Sequence, residues 1–241
     1  MTNSSMEHTV KAFDTDINEL RGMVAEIGGR SEQAIAKAMR ALEKHDLKLA
    51  AEVVAEDKII DDLEKRIDEL TIQTIALRAP MADDLRELIA TFKISGVVER
   101  IGDYAKNIAK RVPVIASTHK LRPASLLPSM SNVASELVRD SLEAFARRDA
   151  DLAVDVCDRD QIVDDFYTSI FRSVVTFMIE NPKDIGEAAH LLFIAKNLER
   201  IGDHATNVAE MVYFAAKGEP MPERDRGNSP TDFVDEPEDG S

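Results

Sequence analysis

Residues 99–109 of this 241-residue chain have the sequence ERIGDYAKNIA, and residues 199–209 have the sequence ERIGDHATNVA. Eight of the eleven positions are identical, and Ile108 is matched conservatively by Val208. Upstream, DKIIDDL at 57–63 recurs as DQIVDDF at 160–166, now with a spacing of 103 residues. Self-similarity of this density predicts an internal duplication in which each copy forms one structural unit.

The hydrophobic spacing around both copies is that of α-helices. Ile60, Leu63, Ile67 and Leu70 follow one another at steps of three and four, which predicts a helix packed on neighbours by a narrow apolar seam. The sequence contains no sustained alternation of apolar and polar residues, so it predicts no β-strand. A proline inside a helix costs about 3 kcal/mol, so the prolines separate the helical segments. We predict an all-α fold, a tandem repeat of two three-helix bundles with helices at about 7–44, 47–78, 82–111, 125–147, 150–180 and 183–216.

The predicted domain organisation follows from the duplication. Residues 1–118 form the first repeat, residues 119–217 form the second, and residues 218–241 form a tail. The tail has eight acidic residues against two arginines, with four prolines. Because it cannot bury enough apolar surface to offset its ordering entropy, we predict that the tail is disordered.

Composition excludes several functional classes. With 45 acidic against 30 basic residues and a net charge of −15, the chain lacks the basic surface of a nucleic-acid or anionic-lipid binder. Its single cysteine, Cys157, excludes an internal disulfide and a Cys-ligated zinc or iron–sulfur site. No signal peptide opens the sequence and no apolar run reaches the roughly 20 residues of a membrane span, so we expect a cytoplasmic protein without direct membrane insertion.

The duplication has also copied a set of acidic residues. At 100° per residue, Glu99 and Asp103 fall opposite Ile101 and Ala105, so we expect the acids to face outward. Like charges four residues apart destabilise a helix by a few tenths of a kcal/mol, which argues for a reason to keep them. Oxygen-rich sites suit hard ions, so the pattern predicts metal binding, with a solvated helix face as the alternative. The candidate metal ligands are Asp57, Asp61, Glu99, Asp103, Asp160, Asp164, Glu199 and Asp203.

Three neighbouring features carry their own expectations. Arg100 and Arg200 are expected to pair with acids across a helix interface, or else to receive an anion. A helical glycine costs about 1 kcal/mol relative to alanine, so Gly102 and Gly202 indicate close approach by a neighbouring helix or a bound ion. The substitutions of Lys106 by Thr206 and of Tyr104 by His204 are interpreted as variation among exposed neighbours.

With the glutamate–arginine–isoleucine–glycine–aspartate motif and the Asp-x-x-x-Asp motif in both halves, the sequence resembles the PhoU family over about residues 7–216. The turn PMADDLR at 80–86 is similar to that family as well, whereas the turn at 181–185 departs from it. The resemblance implies an all-α cytoplasmic regulator, without enzymatic activity, that restrains the phosphate-starvation response when phosphate is plentiful. It also implies a phosphate ABC transporter ATPase and a membrane sensor histidine kinase as partners, a homodimer, and Mg, Mn, Fe, Zn or Ca ions at the eight acids.

Other functional classes have weaker support. A ferritin-like di-metal oxidase needs two Glu-x-x-His motifs, but the sequence has one such string, Glu187 to His190, and the first repeat has Glu87 and Ala90 at the equivalent positions. A phosphotransfer bundle needs an exposed histidine, for which His204 is the candidate. No P-loop and no nucleophile elbow is present. The main alternative to a metal-binding regulator is therefore a helical adaptor that binds no metal.

Overall fold

Six long α-helices form the chain in the computed structural model, which describes the backbone of residues 2–115 and 121–222 and, within those ranges, side chains from residue 12 onward. No β-strand occurs in these ranges, as predicted. The helices are α1 (Thr2–Lys44), α2 (Leu47–Arg78), α3 (Asp83–Ala109), α4 (Leu127–Arg147), α5 (Ala150–Glu180) and α6 (Ile185–Lys217). The predicted ranges agree with these bounds to within a few residues, α1 beginning five residues earlier than expected.

The short connections are built the same way in both halves. Asp46 accepts a hydrogen bond from the backbone N–H of Leu49 at 3.0 Å, and Asp149, 103 residues later, accepts one from Leu152 at 3.0 Å. Each aspartate thereby caps the first turn of the next helix. The preceding residue in each turn, His45 or Arg148, takes the left-handed conformation. These tight turns make α1 and α2 neighbours, and α4 and α5 neighbours.

The two halves share one core. In each repeat the three helices pack on one another, and across the repeats α3 packs on α6 and α1 packs on α4. The apolar residues of the repeated motif face this core as expected: Ile101, Ala105 and Ile108 are fully buried, and so are Ile201 and Val208. Helix α3 is therefore covered by its own bundle on one side and by α6 on another.

Only the first five residues of the predicted C-terminal tail, residues 218–222, are described, and they follow the last helix. Residues 223–241 of the predicted tail, and the link at 116–120, lie outside the described residues. Of the tail residues that are described, Gly218 ends α6 in the left-handed conformation and Met221 packs against the hydrophobic core. The first residues of the tail thus bury some apolar surface. None of the described helices is long and apolar enough to cross a membrane.

Candidate functional site

The eight candidate acids lie in the helix pairs that the sequence predicted, but they do not face open solvent. Helices α2 and α3 carry the first four acids, and helices α5 and α6 carry the second four. Asp57 and Glu199 are buried, with 7% and 6% of their surface exposed, and the other six are intermediate. The prediction that these acids face outward is therefore only partly correct, because α2 packs on α3 and α5 packs on α6, and the acids of each helix lie beside those of its neighbour.

In the first repeat the acids lie close enough to influence each other's ionisation. Burial raises the pKa of Asp57 above its ordinary value, the hydrogen bond and charge of Lys106 oppose this in part, and the charges of Asp61 and Asp103 raise the pKa further. Burial also raises the pKa of Glu99, and the charges of Asp103 and Asp61 add to the effect. The four carboxylates of this repeat therefore form one electrostatic group, which we call the first carboxylate cluster.

A lysine lies inside the first carboxylate cluster. The Nζ of Lys106 donates to Asp57 Oδ2 on α2 at 2.5 Å and also to Asp103 on its own helix. Burial favours neutral lysine, but the hydrogen bonds to Asp103 and Asp57 outweigh it and raise the pKa of Lys106. The side chain is 20% exposed, so Lys106 is not the exposed neighbour that the sequence comparison assumed.

In the second repeat the four equivalent acids form what we call the second carboxylate cluster. Burial raises the pKa of Glu199, the hydrogen bond from Lys196 lowers it, and the charges of Asp203 and Asp164 raise it. Lys196 donates to Glu199 Oε1 at 2.5 Å from one turn earlier on the same helix. Its Nζ lies 5.2 Å from the ring centroid of Tyr167. This lysine therefore lies at the edge of the cluster, beside a ring of α5.

The two motif glycines are explained by close approach, as predicted. A Cβ added at Gly202 would lie 2.7 Å from Asp160 Oδ1 and 3.4 Å from a methyl carbon of Val163. A Cβ added at Gly102 would lie 2.8 Å from the Cδ1 of Ile60. The absence of a side chain at Gly102 allows α2 to approach α3, and its absence at Gly202 allows α5 to approach α6. At Gly202 the space is taken by the carboxylate of Asp160.

A cavity of about 840 Å³ lies where the second carboxylate cluster meets the first repeat. Asp160, Asp164 and Asp203 are among its lining residues, together with Lys93 of α3 and Met221 of the C-terminal segment. The cluster is thus reachable from a concave surface to which both repeats contribute. We expect any ligand of the second cluster to enter there.

The two clusters offer carboxylate oxygens without forming a ready-made metal centre. Among the residues that the structure describes, no three carboxylate, imidazole or thiol groups converge in the manner of a metal centre. Two buried carboxylate oxygens, Asp57 Oδ1 and Glu199 Oε2, nevertheless have no hydrogen-bond partner within those residues. A buried carboxylate oxygen without a hydrogen-bond partner destabilises the protein. It is also the kind of atom that a hard cation takes as a ligand. One such atom lies in each cluster, so each cluster has one oxygen for which a cation would be a partner, although no set of three donors converges there in the described residues.

The ion pairs expected for the motif arginines are absent from the described residues, and the alternative, that these arginines receive an anion, stays a prediction. Neither Arg100 nor Arg200 makes an ion pair within the described ranges, although the charge of Arg100 lowers the pKa of Glu99. The guanidinium carbon of Arg200 lies 5.9 Å from the ring centroid of Tyr104, across the α3–α6 contact. His204 is half-buried in the same contact, and its Nδ1 lies 2.9 Å from the backbone oxygen of Arg200. It is therefore not the exposed histidine that a phosphotransfer bundle requires.

A model of one protein family matches the chain twice. The PhoU domain is found at residues 24–112 and again at residues 127–212. The chain belongs to the PhoU family. The two matches include every one of the eight acids, and they leave out residues 1–23, 113–126 and 213–241.

Relatives and solved structures agree with this family membership. The chain is 51% identical over 224 residues to the phosphate-specific transport system accessory protein PhoU homolog of Zymomonas mobilis, covering 93% of this chain and 94% of that protein. The homologue of Rhizobium meliloti is 43% identical over 91% of this chain and 94% of its own length. The crystal structure of PhoU from Pseudomonas aeruginosa has a TM-score of 0.82 at 34% identity, covering 86% of this chain and all of that one. The phosphate transport system regulatory protein PhoU from Streptococcus pneumoniae has a TM-score of 0.81 at 25% identity, covering 88% of this chain and all of that one.

Sequence reasoning missed two groups around these PhoU repeats. The first is Lys106, which lies three residues after Asp103. This spacing places both residues on one helix face, so the sequence could have predicted that the two side chains pair. The second group is centred on Glu87 of α3, which accepts from Arg21 of α1 at 2.7 Å and pairs with Arg148 at the end of α4. No short-range sequence pattern predicts these ion pairs, because the three residues are 61 to 127 positions apart in the sequence.

Proposed function

We propose that this chain is a cytoplasmic accessory regulator of phosphate-specific transport and phosphate-starvation signalling. The observation that carries the proposal is the pair of PhoU domain matches, one on each three-helix repeat. Relatives named as phosphate-specific transport system accessory proteins, similar over more than nine tenths of the chain, support the same role.

The regulator acts through protein contacts and has no catalytic activity of its own. It works as an adaptor between the ATPase of a phosphate ABC transporter and a membrane sensor histidine kinase, and it restrains the starvation response when phosphate is plentiful. We further propose that it forms a homodimer, which light scattering coupled to size-exclusion chromatography tests directly. The bundle fold alone does not specify any of these roles, so they rest on the family and need genetic evidence.

The genetic experiment is deletion of the gene, with phosphate-starvation transcripts measured in phosphate-replete medium. We expect the transcripts to rise in the deletion strain and to return to low levels when the gene is restored. Transcripts that stay low after deletion would contradict negative regulation. Affinity purification from a strain that expresses tagged protein at its natural level tests for the transporter ATPase and the kinase as partners.

Metal binding is the second part of the proposal. The eight acids supply carboxylate oxygens that suit Mg, Mn, Fe, Zn or Ca ions, and each cluster has one buried oxygen without a partner among the described residues. Elemental analysis of the native protein, with divalent-ion titration of the wild type and of an Asp103→Ala/Asp203→Ala variant, tests it. Equal and negligible binding by both proteins would remove this part.

An adaptor that binds no metal is the alternative, and one observation favours it. Lys106 already pairs with two carboxylates of the first cluster, which is one way in which a helical protein stabilises partly buried acids without a metal ion. The two alternatives differ in the restored strain: a metal-dependent regulator loses repression with the Asp103→Ala/Asp203→Ala variant, whereas a metal-free adaptor keeps it provided that the variant protein accumulates normally.

A further inference from the structure

A cavity of about 750 Å³ lies between α1 and α4, the helices with which the two repeats begin. Neither helix carries any of the eight acids, so this α1–α4 cavity is separate from both carboxylate clusters. Ligand pockets in proteins commonly have volumes of about 300–1,000 Å³. The α1–α4 cavity is therefore large enough for a small organic molecule.

One buried hydroxyl group in the wall of the α1–α4 cavity lacks a hydrogen bond that comparable groups make. Ser131 of α4 is 5% exposed, and its hydroxyl has no hydrogen-bond partner among the described residues. The other seven buried serines and threonines in the described part of the chain each donate to a backbone oxygen three or four residues earlier, as Ser31 and Thr91 do. The hydroxyl of Ser131 is not closed off from open space, and the open space beside it is the cavity. Because buried polar groups are nearly always hydrogen-bonded, this hydroxyl points to a partner inside the cavity.

The internal duplication shows that packing α1 on α4 does not by itself leave a cavity. At the 103-residue spacing that relates the two helix caps, Ser131 corresponds to Gly28, and Met39 corresponds to Leu142. Gly28 and Leu142 are in close contact, since a Cβ added at Gly28 would clash with the leucine side chain. Ser131 and Met39 instead line the open cavity. One end of the α1–α4 contact is thus closed, and the equivalent other end is open.

Apolar side chains and hydroxyl groups share the wall of the α1–α4 cavity. Met39 of α1 and Leu127 of α4 contribute apolar surface. Ser125 and Ser135 add hydroxyl groups to that of Ser131. Cavities that combine a mainly apolar wall with a few polar groups bind organic molecules, because the apolar wall takes the body of the ligand and the polar groups orient it.

Two arginines without an ion pair supply positive charge to the same wall. Arg40 of α1 and Arg122, just before α4, line the cavity, and neither forms an ion pair within the described residues. Arg139 also lines it but is paired with Glu32 at 3.3 Å, which leaves Glu43 as the one lining acid without such a pair. Positive charge is therefore in excess. A phosphate monoester carries about two negative charges at neutral pH, which two guanidinium groups match better than they match a single carboxylate.

We propose that the α1–α4 cavity binds a small organic phosphate monoester with an apolar or ring-shaped body. The body packs on Met39 and Leu127, the phosphate group pairs with Arg40 and Arg122, and the ligand supplies the missing hydrogen-bond partner of Ser131. This site depends neither on the proposed metal binding nor on the proposed protein partners, because none of its residues belongs to a carboxylate cluster.

The probe for this site is 1-naphthyl phosphate, a fluorescent aromatic phosphate monoester, titrated into the full chain. The protein contains no tryptophan, so the naphthyl emission can be followed without interference. We expect saturable binding of one probe molecule per chain. Inorganic phosphate lacks the apolar body and 1-naphthol lacks the charge, so each fragment is expected to bind more weakly, by about tenfold or more.

Variants in the cavity wall locate the bound probe. Arg40→Gln and Arg122→Gln are each expected to weaken binding by about tenfold, because each removes a charge-assisted hydrogen bond. Ser131→Leu is expected to abolish binding, because the larger side chain fills the cavity. The matched controls are Arg66→Gln on α2 and Ser169→Leu on α5, both at exposed positions outside the cavity wall, and they should keep the affinity of the wild type.

Folding and assembly are measured on the same variants by circular dichroism, melting temperature and light scattering. If Ser131→Leu does not fold, the two arginine variants carry the test, because Arg40 and Arg122 are exposed and their replacement leaves the core intact. Loss of a homodimer in the cavity variants alone, without probe binding by the wild type, would assign this surface to a contact between copies and overturn the proposal.

The remaining outcomes decide the ligand class and the location. Weaker binding in the cavity variants, with wild-type affinity in both controls, supports the proposal. The absence of saturable binding by the wild type overturns it, and so does binding that the cavity variants leave unchanged. Equal affinity for 1-naphthol or for inorganic phosphate overturns the assignment of an organic phosphate as the ligand.

Discussion

Tyr104 and His204 occupy the same position of the two repeats and contact each other edge to face, with their ring centroids 5.1 Å apart. Around this ring pair, α3 and α6 run in opposite directions. This follows from the position of Arg111, just after α3, which lies beside His190 near the start of α6, with 3.4 Å between a guanidinium nitrogen of Arg111 and Nδ1 of His190. The approximate two-fold axis that relates the repeats therefore passes close to this ring pair. The duplicated motif is thus also the contact between the copies.

The ring contact should be measurable as a coupling energy. Edge-to-face aromatic pairs contribute about 0.5–1.5 kcal/mol beyond the area they bury. We expect Tyr104→Ala and His204→Ala to destabilise the protein, and the double variant to lose less than the sum of the two by about that amount. Urea unfolding of the four proteins in a double-mutant cycle gives the coupling. Strict additivity would show that the two rings do not stabilise the contact between repeats.

Two glycines of α3 should respond to alanine with opposite signs. At Gly96 an added Cβ meets nothing within 4 Å among the described residues, so Gly96→Ala should raise stability by about 0.5–1 kcal/mol through helix propensity. At Gly102 the added Cβ would lie 2.8 Å from the Cδ1 of buried Ile60, so overpacking should lower stability by about 1–3 kcal/mol. Thermal unfolding of both variants measures this. A stabilising Gly102→Ala would mean that α2 moves away easily.

Glu87 should be important for the stability of the bundle. It is 7% exposed, and it joins α3 to Arg21 of α1 and to Arg148 at the end of α4, so it connects the two repeats. Glu87→Gln removes the charge from these bonds, and we expect a loss of about 1–3 kcal/mol in the free energy of unfolding. The control is Glu26→Gln, which removes an exposed pair with Arg30 and should cost less than about 1 kcal/mol. Equal losses in the two variants would contradict a special role for Glu87.

Asp68 should make stability depend on pH. Burial raises the pKa of its carboxyl above the ordinary value, and hydrogen bonds from Ser95 and Glu64 oppose this only in part. The ionised form is therefore disfavoured by folding, so the penalty is present at neutral pH and disappears as the pH falls through the raised pKa.

The matching variant is Asp68→Asn, which keeps the acceptor for Ser95 and removes the charge. It should be more stable than the wild type at pH 7 by a few tenths of a kcal/mol, and this advantage should shrink as the pH falls toward 4. Melting temperatures across that range measure the effect. Asp62→Asn, at an exposed position of the same helix, is the control and should follow the wild type throughout. An advantage of Asp68→Asn that grows with acidity would refute the assignment.

The sequence by itself determined the helices and the duplication. Apolar residues at steps of three and four, prolines between the segments and a repeat of eight identical positions in eleven are local or periodic signals, so they need no knowledge of the tertiary contacts. The same signals placed the eight acids on the correct helices, and the helical glycines indicated the close approach that the structure contains at Gly102 and Gly202.

Only the tertiary structure decided how exposed those acids are and which cations accompany them. A helical wheel assigns each helix one buried side, but α3 packs on α1 and α2 and also on α6, so residues opposite its apolar seam are covered as well. For the same reason Lys106 lies among carboxylates of two helices, and Glu87 joins three helices that are far apart in sequence. Contacts between distant segments depend on how whole helices pack, and no local pattern encodes that arrangement.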